Sequence, residues 1–293
     1  MFERMDLSDK TRFESAVRRA PRRIADLSFA CQYIWMHKYN PELHSGQHAL
    51  YLRYGLPDGL WYTPIGVTDW SACLAELDGL DPAARMGCLT KPDADAAEAA
   101  APGKYIFAET RESADYIYLK DDLALLEGKK YHSKRNFCSR FERENAGNWS
   151  YEPLTGANLA DAWLFQDSWC RKNGCDGSLT LQEESTAIAL LLYNLDNFGA
   201  PAGMLKVGGR AVAFTAGSWV TDDTVVVHVE KADYDIPGAY QMICREFAKN
   251  SCGGAVYINR EDDMGLENLR KAKMSYNPHE IIMKYSAIPA IRT

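Results

Sequence analysis

The chain has 293 residues, of which 46% are hydrophobic and 25% charged, and its formal net charge is −7. Such values describe one large or two ordinary globular domains and exclude a disordered or fibrous chain. The acidic balance argues against broad binding to nucleic acid, DNA in particular, because that affinity comes from neutralised phosphates.

No apolar run approaches the ~18–20 residues of a membrane span. The opening residues, MFERMDLSDKTRFESAVRR, are charged and lack the apolar core of a secretory signal, so a cytoplasmic protein is expected. Eight cysteines are scattered without a C-x-x-C pair. In a reducing compartment they are expected to be free thiols, mostly small buried apolar residues. Cys170 and Cys175 flank a Lys-Asn-Gly turn, and His44 and His48 are four residues apart. Neither pair has the further partners a metal site needs, so no metal is expected.

In chain order, residues 9–20 are predicted to form a helix with Phe13, Ala16 and Val17 on one face, stopped by Pro21. The arginines around that stop read as a solvated helix end. Residues 27–39, aromatic and apolar, read as a second short helix. Residues 49–54 and 59–65 read as strands joined by the Pro57-Asp58-Gly59 turn. Asp69 caps a helix over 70–77. Residues 91–103 fit an exposed helix or a loose loop. Residues 104–109 and 115–120 give two strand signals around a polar stretch, and 123–143 is helical and then basic. The Asn/Gly/Ser cluster at 145–151 is the best boundary candidate, giving domains 1–148 and 149–293.

Beyond it, a helix over 159–172 ends at Asn173-Gly174. A longer helix over 181–198 carries the stripe Ile188, Leu191, Leu192 and Leu195. Strands 202–207 and 211–220 meet at Gly208-Gly209. The run 224–230, TVVVHVE, reads as a central strand. A helix over 238–250 and a strand over 255–259 follow. Two helices, an antiparallel run of strands, then strand–helix–strand is the order of the Gcn5-related N-acetyltransferase fold. A long internal repeat supports two copies. The segment YIYLKDDLALLEGKKY at 116–131 parallels AVYINREDDMGLENLRKAKMSY at 255–276, with Asp121-Asp122 matching Asp262-Asp263.

In an open α/β sheet the default site lies at the carboxyl ends of adjacent strands, facing a helix N-terminus. Here that place is built by Glu230-Lys231, by Gly238-Ala239-Tyr240 opening a helix, and by Asn259-Arg260-Glu261 leaving the next strand. Free N–H groups at the helix start suit an anion, and Gly238 lets a ligand approach the backbone. Lys273 and Tyr276 lie one helix later. Close acids and bases shift one another's pKa values and can move protons. The plainer alternative is capping, which fits Asp263 best. A second dense cluster, His132, Lys134, Arg135 and Asn136, is easiest to understand if it meets an anion, although a solvated basic helix face is the common explanation.

The segments GKKYHSKRNFCSRF (128–141), HVEKA (228–232), Gly238–Tyr240 and Ile258–Tyr276 resemble the bacterial family related to the C-terminal catalytic domain of phosphatidylglycerol lysyltransferases. The resemblance implies an α/β (α+β) fold of two tandem Gcn5-related N-acetyltransferase-like domains, each a mixed, mostly antiparallel sheet flanked by helices. Fem-type enzymes, which add amino acids to peptidoglycan, share that architecture. It further implies transfer of an acyl or aminoacyl group to an amine or hydroxyl, with the acceptor in the cleft between domains. The large membrane domain of the lysyltransferases has no counterpart here, which weakens the case for a lipid acceptor. The acetyl-CoA loop is matched only in part by Asp235-Ile236-Pro237-Gly238-Ala239.

Glu230 or Glu261 is expected to be the base or the group that orients the acceptor. Asn259 and backbone N–H groups are the candidates to steady the oxyanion, and Tyr276 the candidate to protonate the leaving group. Lys231, Lys273, Lys134, Arg135 and Arg260 bind anionic parts of the reactants, together with the helix start at Gly238, Ala239 and Tyr240 and the His132/Asn136 pair. No cofactor is required. The donor is an aminoacyl-tRNA or an acyl-CoA, and the acceptor is a small molecule or peptide. The alternatives are a noncatalytic binder of small anions or peptides and an acetyl-CoA-dependent N-acetyltransferase.

Overall fold

A computed structural model describes residues 1–290. The first stretch runs β1 (Glu3–Arg4), α1 (Lys10–Arg19), α2 (Phe29–Ile34), α3 (Met36–Tyr39), β2 (Glu42–Ser45), β3 (Leu50–Leu56), β4 (Gly59–Ile65), α4 (Trp70–Leu80), β5 (Arg85–Thr90), α5 (Lys91–Ala100) and β6 (Tyr105–Leu119). Two helices follow, α6 (Lys120–Leu125) and α7 (His132–Glu144). Next come β7 (Trp149–Pro153), α8 (Leu159–Asn173), α9 (Leu179–Tyr193), α10 (Leu195–Phe198), β8 (Ala202–Val207), β9 (Arg210–Thr221) and β10 (Thr224–Ala232). The chain closes with α11 (Ala239–Asn250), β11 (Tyr257–Asn259), α12 (Glu267–Met274) and β12 (Glu280–Pro289). One order therefore occurs twice: a strand, helices, three strands, a helix, a strand, a helix, a strand.

The chain forms two compact units. The first holds residues 1–116, 261–270 and the segment from Ile281; the second holds 117–260 and 271–280. In the first, β1 to β4 pair antiparallel in sequence. β5 joins β4 in parallel, β12 adds antiparallel to β5, and β6 lies beside β12. Its core gathers Tyr51, Tyr62, Leu74, Leu77, Met86 and Leu89. In the second, β7 to β10 pair antiparallel and β11 joins β10 in parallel. The last residues of β6 then pair antiparallel with β11, Ile117 opposite Asn259 and Leu119 opposite Tyr257. Each unit thus has one parallel pair, made possible by a crossover helix, α4 or α11.

The division differs from the expected 148/149 boundary. Tyr131, Cys138 and Phe141, around and on α7, pack on Met242 and Ile243 of α11, so burial of that apolar stripe keeps 117–148 in the second unit. Residues 145–148 are a turn within it, where Asn148 N–H meets the Asn145 carbonyl at 2.9 Å. The short repeat is also offset from the structural one. By element order β11 and α12 correspond to β5 and α5, whereas 116–131 begins in β6.

Other differences are local. The two strands expected over 104–120 are one, because the polar stretch between them contains no Gly or Pro and Thr110 Oγ1 donates to the Lys284 carbonyl at 3.0 Å. The helix expected over 123–143 is broken where Leu126 (φ 52°) and Gly128 (φ 82°) turn left-handed. The helix expected over 181–198 splits at Asn194. Cys170 and Cys175 are not free thiols. Gly174, left-handed after α8, reverses the chain so that the two Cα atoms lie 5.1 Å apart and a disulfide joins them.

Remote segments of the first unit meet at a buried triad. The ammonium of Lys284 lies 2.8 Å from Asp115 and also pairs with Asp26, and Lys284 is 3% exposed. Burial works against its charge, but the two carboxylates more than offset that and hold its pKa above the ordinary lysine value. Asp115 also accepts the Ala25 N–H at 2.6 Å, and the Cys88 thiol donates to Asp26 at 3.2 Å. Lys284→Met would leave Asp115, fully buried, and Asp26, partly buried, without their cation. It is expected to lower stability by about 3–5 kcal/mol, measured by denaturant unfolding; a loss under about 1 kcal/mol contradicts a structural role for the triad.

Candidate active site in the second unit

The parallel pairing of β10 and β11 sets Val226 opposite Asn259, so β10 runs on past the end of β11, and Glu230, still within β10, lies beyond the point where Arg260 leaves β11. Arg260 Nη2 donates to Glu230 Oε1 at 2.8 Å, with the two side chains 14% and 13% exposed. Burial opposes the guanidinium charge, but Glu230, followed by the Cys244 thiol, raises its pKa well above the ordinary value, so Arg260 stays charged. Its guanidinium lies 4.7 Å from the ring centre of Tyr276 and 5.7 Å from that of Tyr118. The other terminal nitrogen, Nη1, is buried and has no acceptor.

The segment carrying Tyr276 is fixed by backbone anchors. Tyr131 Oη donates to the Tyr276 carbonyl at 3.0 Å, and Tyr118 Oη donates to the Lys273 carbonyl at 2.8 Å. The Lys273 ammonium donates to the Arg260 carbonyl. Tyr276 is 5% exposed, and burial, then the nearby Cys244 thiol, push its pKa well above the usual phenol range, so its proton is retained. Lys134, from α7, sits 4.0 Å over the Tyr276 ring and donates to Ser275 Oγ at 2.7 Å. Burial and then the charge of Arg260 lower its pKa below the ordinary lysine value. Glu230, Arg260, Tyr276, Lys273 and Lys134 therefore come together, with a carboxylate, a charged guanidinium, a protonated phenol and an amine that releases its proton more readily than usual.

Other residues singled out from the sequence are engaged elsewhere. Asn259 is fully buried in the sheet, so its amide faces protein. Lys231 is clamped by both oxygens of Glu184 at 2.8 and 2.7 Å and lies 3.8 Å over the Trp169 ring. Arg135 donates to the carbonyls of Leu126 and Gly128, closing the left-handed turn before α7. His132 and Asn136 bond to each other at 3.2 Å on an exposed helix face. Gly238 does admit a close approach, but by protein. A Cβ there would lie 2.3 Å from the Phe137 carbonyl oxygen. Ala239 is buried beneath the same contact with its N–H spent on the Ile236 carbonyl, and Tyr240 packs 5.2 Å from Tyr234. Glu261 belongs to the first unit and has a left-handed backbone, φ 56°. Sequence reasoning missed Tyr118, Tyr131 and Ser275, whose bonds are to backbone or across helices and leave no spacing pattern, and Cys244, a buried thiol near Arg260 and Tyr276. The second unit also holds a cavity of about 500 Å³, and none of the residues predicted for the site lines it.

Asp263, expected as a helix cap, accepts the Gly265 N–H at 3.0 Å. It is also the hub of a buried network in the first unit. Arg270 reaches both its oxygens at 2.8 and 3.0 Å, Arg111 donates at 3.0 Å, and Tyr116 Oη at 2.6 Å.

The fold is that of two tandem Gcn5-related N-acetyltransferase-like domains. The chain belongs to the family described as phosphatidylglycerol lysyltransferase, C-terminal, which matches residues 17–288. A conserved protein of unknown function from Bacteroides thetaiotaomicron is 36% identical, with a TM-score of 0.94 and 99% of both chains covered. L-PGS from Bacillus licheniformis is 16% identical with a TM-score of 0.66, over 99% of this chain and 94% of that one. FemX is 10% identical with a TM-score of 0.59, over 98% and 97%. At those identities the last two share the fold. An uncharacterized protein of Mycoplasmoides gallisepticum is 21% identical over 173 residues, 59% of this chain, and the match spans 55% of that relative's length. No helix among the described residues is long and apolar enough to cross a membrane.

The Asp263 network gives a pH-dependent expectation. Hydrogen bonds from Arg270 and Tyr116 outweigh desolvation and hold this carboxyl far below the ordinary aspartate range. A depressed folded-state pKa contributes stability above the unfolded value, near 4, that is lost as pH falls below it. Asp263→Asn is expected to cost about 2–3 kcal/mol at pH 7. That is below the ~3–5 of a fully buried pair, since both arginines are partly exposed. The variant's unfolding free energy should also fall less steeply than the parent's between about pH 4 and 2. Equal acid slopes for variant and parent would contradict the assignment.

Proposed function

We propose that the second unit transfers an activated acyl or aminoacyl group to an amine or hydroxyl, with its reacting centre at Glu230, Arg260, Tyr276 and Lys134. The observation that carries this reading is Arg260: a buried, charged guanidinium answered on one nitrogen by Glu230 and left without an acceptor on the other. An unmet buried donor costs about 1–3 kcal/mol. A carbonyl oxygen gaining negative charge in the transition state is the partner such a donor stabilises best. Membership of a lysyltransferase family favours acyl chemistry over simple anion binding. Aminoacyl-tRNA is the favoured donor and an acyl-CoA the second, because Gly238 and Ala239 are committed to contacts with protein.

In this mechanism the acceptor nitrogen or oxygen attacks the carbonyl carbon as its proton passes to Glu230. Arg260 Nη1 holds the oxyanion. The carbon–oxygen bond to the donor, or carbon–sulfur bond for a thioester, then breaks, and the departing atom takes its proton from Tyr276. Solvent returns a proton to Tyr276 and removes one from Glu230, which restores the starting state. Lys134, packed on the Tyr276 ring, fixes the phenol and carries positive charge beside an anionic donor when protonated.

The test is transfer of labelled amino acid from a panel of aminoacyl-tRNAs, and of acyl groups from acyl-CoAs, to amine and hydroxyl acceptors. Glu230→Gln and Tyr276→Phe should each lower the transfer rate by about 10²–10⁴-fold with the fold retained. If both leave turnover intact, the reacting centre lies elsewhere. Tight donor binding with no transfer to any acceptor would replace the enzyme by a binding protein. Lys134→Arg, which keeps a cation but removes the readily lost proton, should shift the pH–rate profile of transfer upward and change the maximum less than Glu230→Gln does.

A further inference from the structure

The arginines on and after α1 divide by what answers them. Arg22 reaches both oxygens of Asp93 at 3.2 and 2.8 Å and belongs to the scaffold. Arg12 and Arg19 instead line a pocket of about 300 Å³ in the first unit, between α1 and the turn joining β2 to β3. That volume is at the lower end of small-molecule sites, ~300–1,000 Å³. Arg12, Ser15, Ala16 and Arg19 all line it because they follow the i, i+3, i+4, i+7 spacing of one helix face.

The lining carries two cations and no carboxylate. The nearby acids are already engaged. Asp9 meets Arg12 Nε at 2.8 Å, and Glu76 accepts the N–H groups of Gln47 and His48 at 2.7 and 3.1 Å. Arg19 has no hydrogen-bond or carboxylate partner among the described residues. Its stem is nevertheless supported, because Gly66 packs flush on α1. A Cβ there would lie 2.2 Å from the Ala16 carbonyl oxygen and 3.0 Å from Arg19 Nε. Arg12 Nη1 donates to Ser45 Oγ at 3.5 Å, and Arg18 Nη2 donates to Ser15 Oγ at 3.2 Å. Each hydroxyl accepts from an arginine and keeps its own proton to donate. Ala16, Ala49 and Leu50 of the lining are buried, and such an apolar floor strengthens the attraction between guanidinium and anion.

We propose that this pocket binds a phosphate group, held by the guanidiniums of Arg12 and Arg19 and the hydroxyls of Ser15 and Ser45. A guanidinium fork meets phosphate in bidentate fashion. Two forks and two hydroxyls suit a tetrahedral group with three acceptor oxygens better than a planar carboxylate with two. The arginines are about 10 Å apart along the helix axis, so their long side chains can close on one phosphate or span two linked ones. The site does not depend on the reacting centre, which belongs to the second unit.

Isothermal titration of the full chain with pyrophosphate, acetate and an oligouridylate of about ten nucleotides tests this at low salt, where charge attraction is least screened. Pyrophosphate should bind, and acetate at least about tenfold more weakly. Arg19→Gln, an exposed substitution that removes no contact within the protein, should weaken pyrophosphate by about tenfold. Arg210→Gln, which removes an exposed arginine of the second unit, should leave its affinity unchanged. The oligouridylate distinguishes the sources of the phosphate. Binding tighter than pyrophosphate with the same dependence on Arg19 assigns the pocket to a nucleic-acid backbone, and weaker binding assigns it to a small phosphorylated compound. The proposal is overturned by the absence of pyrophosphate binding up to about 10 mM, by equal affinity in Arg19→Gln, or by an equal loss in Arg210→Gln, which would make the attraction one of overall charge.

Discussion

Arg260 can be both charged and buried because Glu230 answers it. Removing an ion from water costs several kcal/mol, and a partner must sit at hydrogen-bonding distance to offset that. Glu230 does so only while β10 and β11 keep their parallel register, with β10 running on past Asn259, the last residue of β11. A parallel pair requires a crossover, here α11, whose start is pinned by the contact of Gly238 with the Phe137 carbonyl. That contact commits α7 to the same unit, and α7 in turn delivers Lys134 to Tyr276. One ion pair therefore rests on a strand register, a crossover and a helix from a remote part of the chain.

The first unit manages buried charge in both signs. Lys284 is a cation between two carboxylates, and Asp263 is an anion between two arginines and a phenol. Both tie late segments of the chain to early ones, since residues near 284 and 263 are held by Asp26, Asp115, Arg111 and Tyr116. Apolar packing tolerates several registers of a strand. A buried ion pair tolerates few, because a slip leaves an uncompensated charge. Such pairs are a physical reason for the first unit to capture residues 261–270 and the segment from 281, although these follow nearly the whole second half in sequence.

Much of the fold was legible in the sequence because its signals are local. The hairpin at Pro57-Asp58-Gly59, the run TVVVHVE and the stop at Gly174 depend on residues that act within a few positions of themselves. What was not legible depends on partners far away. The polar stretch 110–113 reads as a break until its pairing with β12 is known. The Asn/Gly cluster at 145–148 looks like a linker until the apolar stripe of α7 finds α11. The turn between Cys170 and Cys175 was visible, but the disulfide across it was not, because a reducing compartment was expected to keep both as thiols. At the site, the dense polar stretch after Ile258 was visible as a stretch. Its division, with Arg260 and Tyr276 in one unit and Glu261 and Asp263 in the other, was not.

A comparison of the cations separates scaffold from site. Lys231 meets both oxygens of one carboxylate, Arg135 meets two carbonyls, and Lys284 meets two carboxylates. Each is answered within the protein, and an added anion would have to displace a partner already desolvated. Arg260 differs, because the one carboxylate beside it leaves Nη1 without an acceptor. Burial makes that deficit expensive, and folding alone would favour closing it with a second carboxylate or a carbonyl. A deficit retained next to a protonated phenol and an amine of lowered pKa is the electrostatic arrangement that favours a charge appearing only during a reaction.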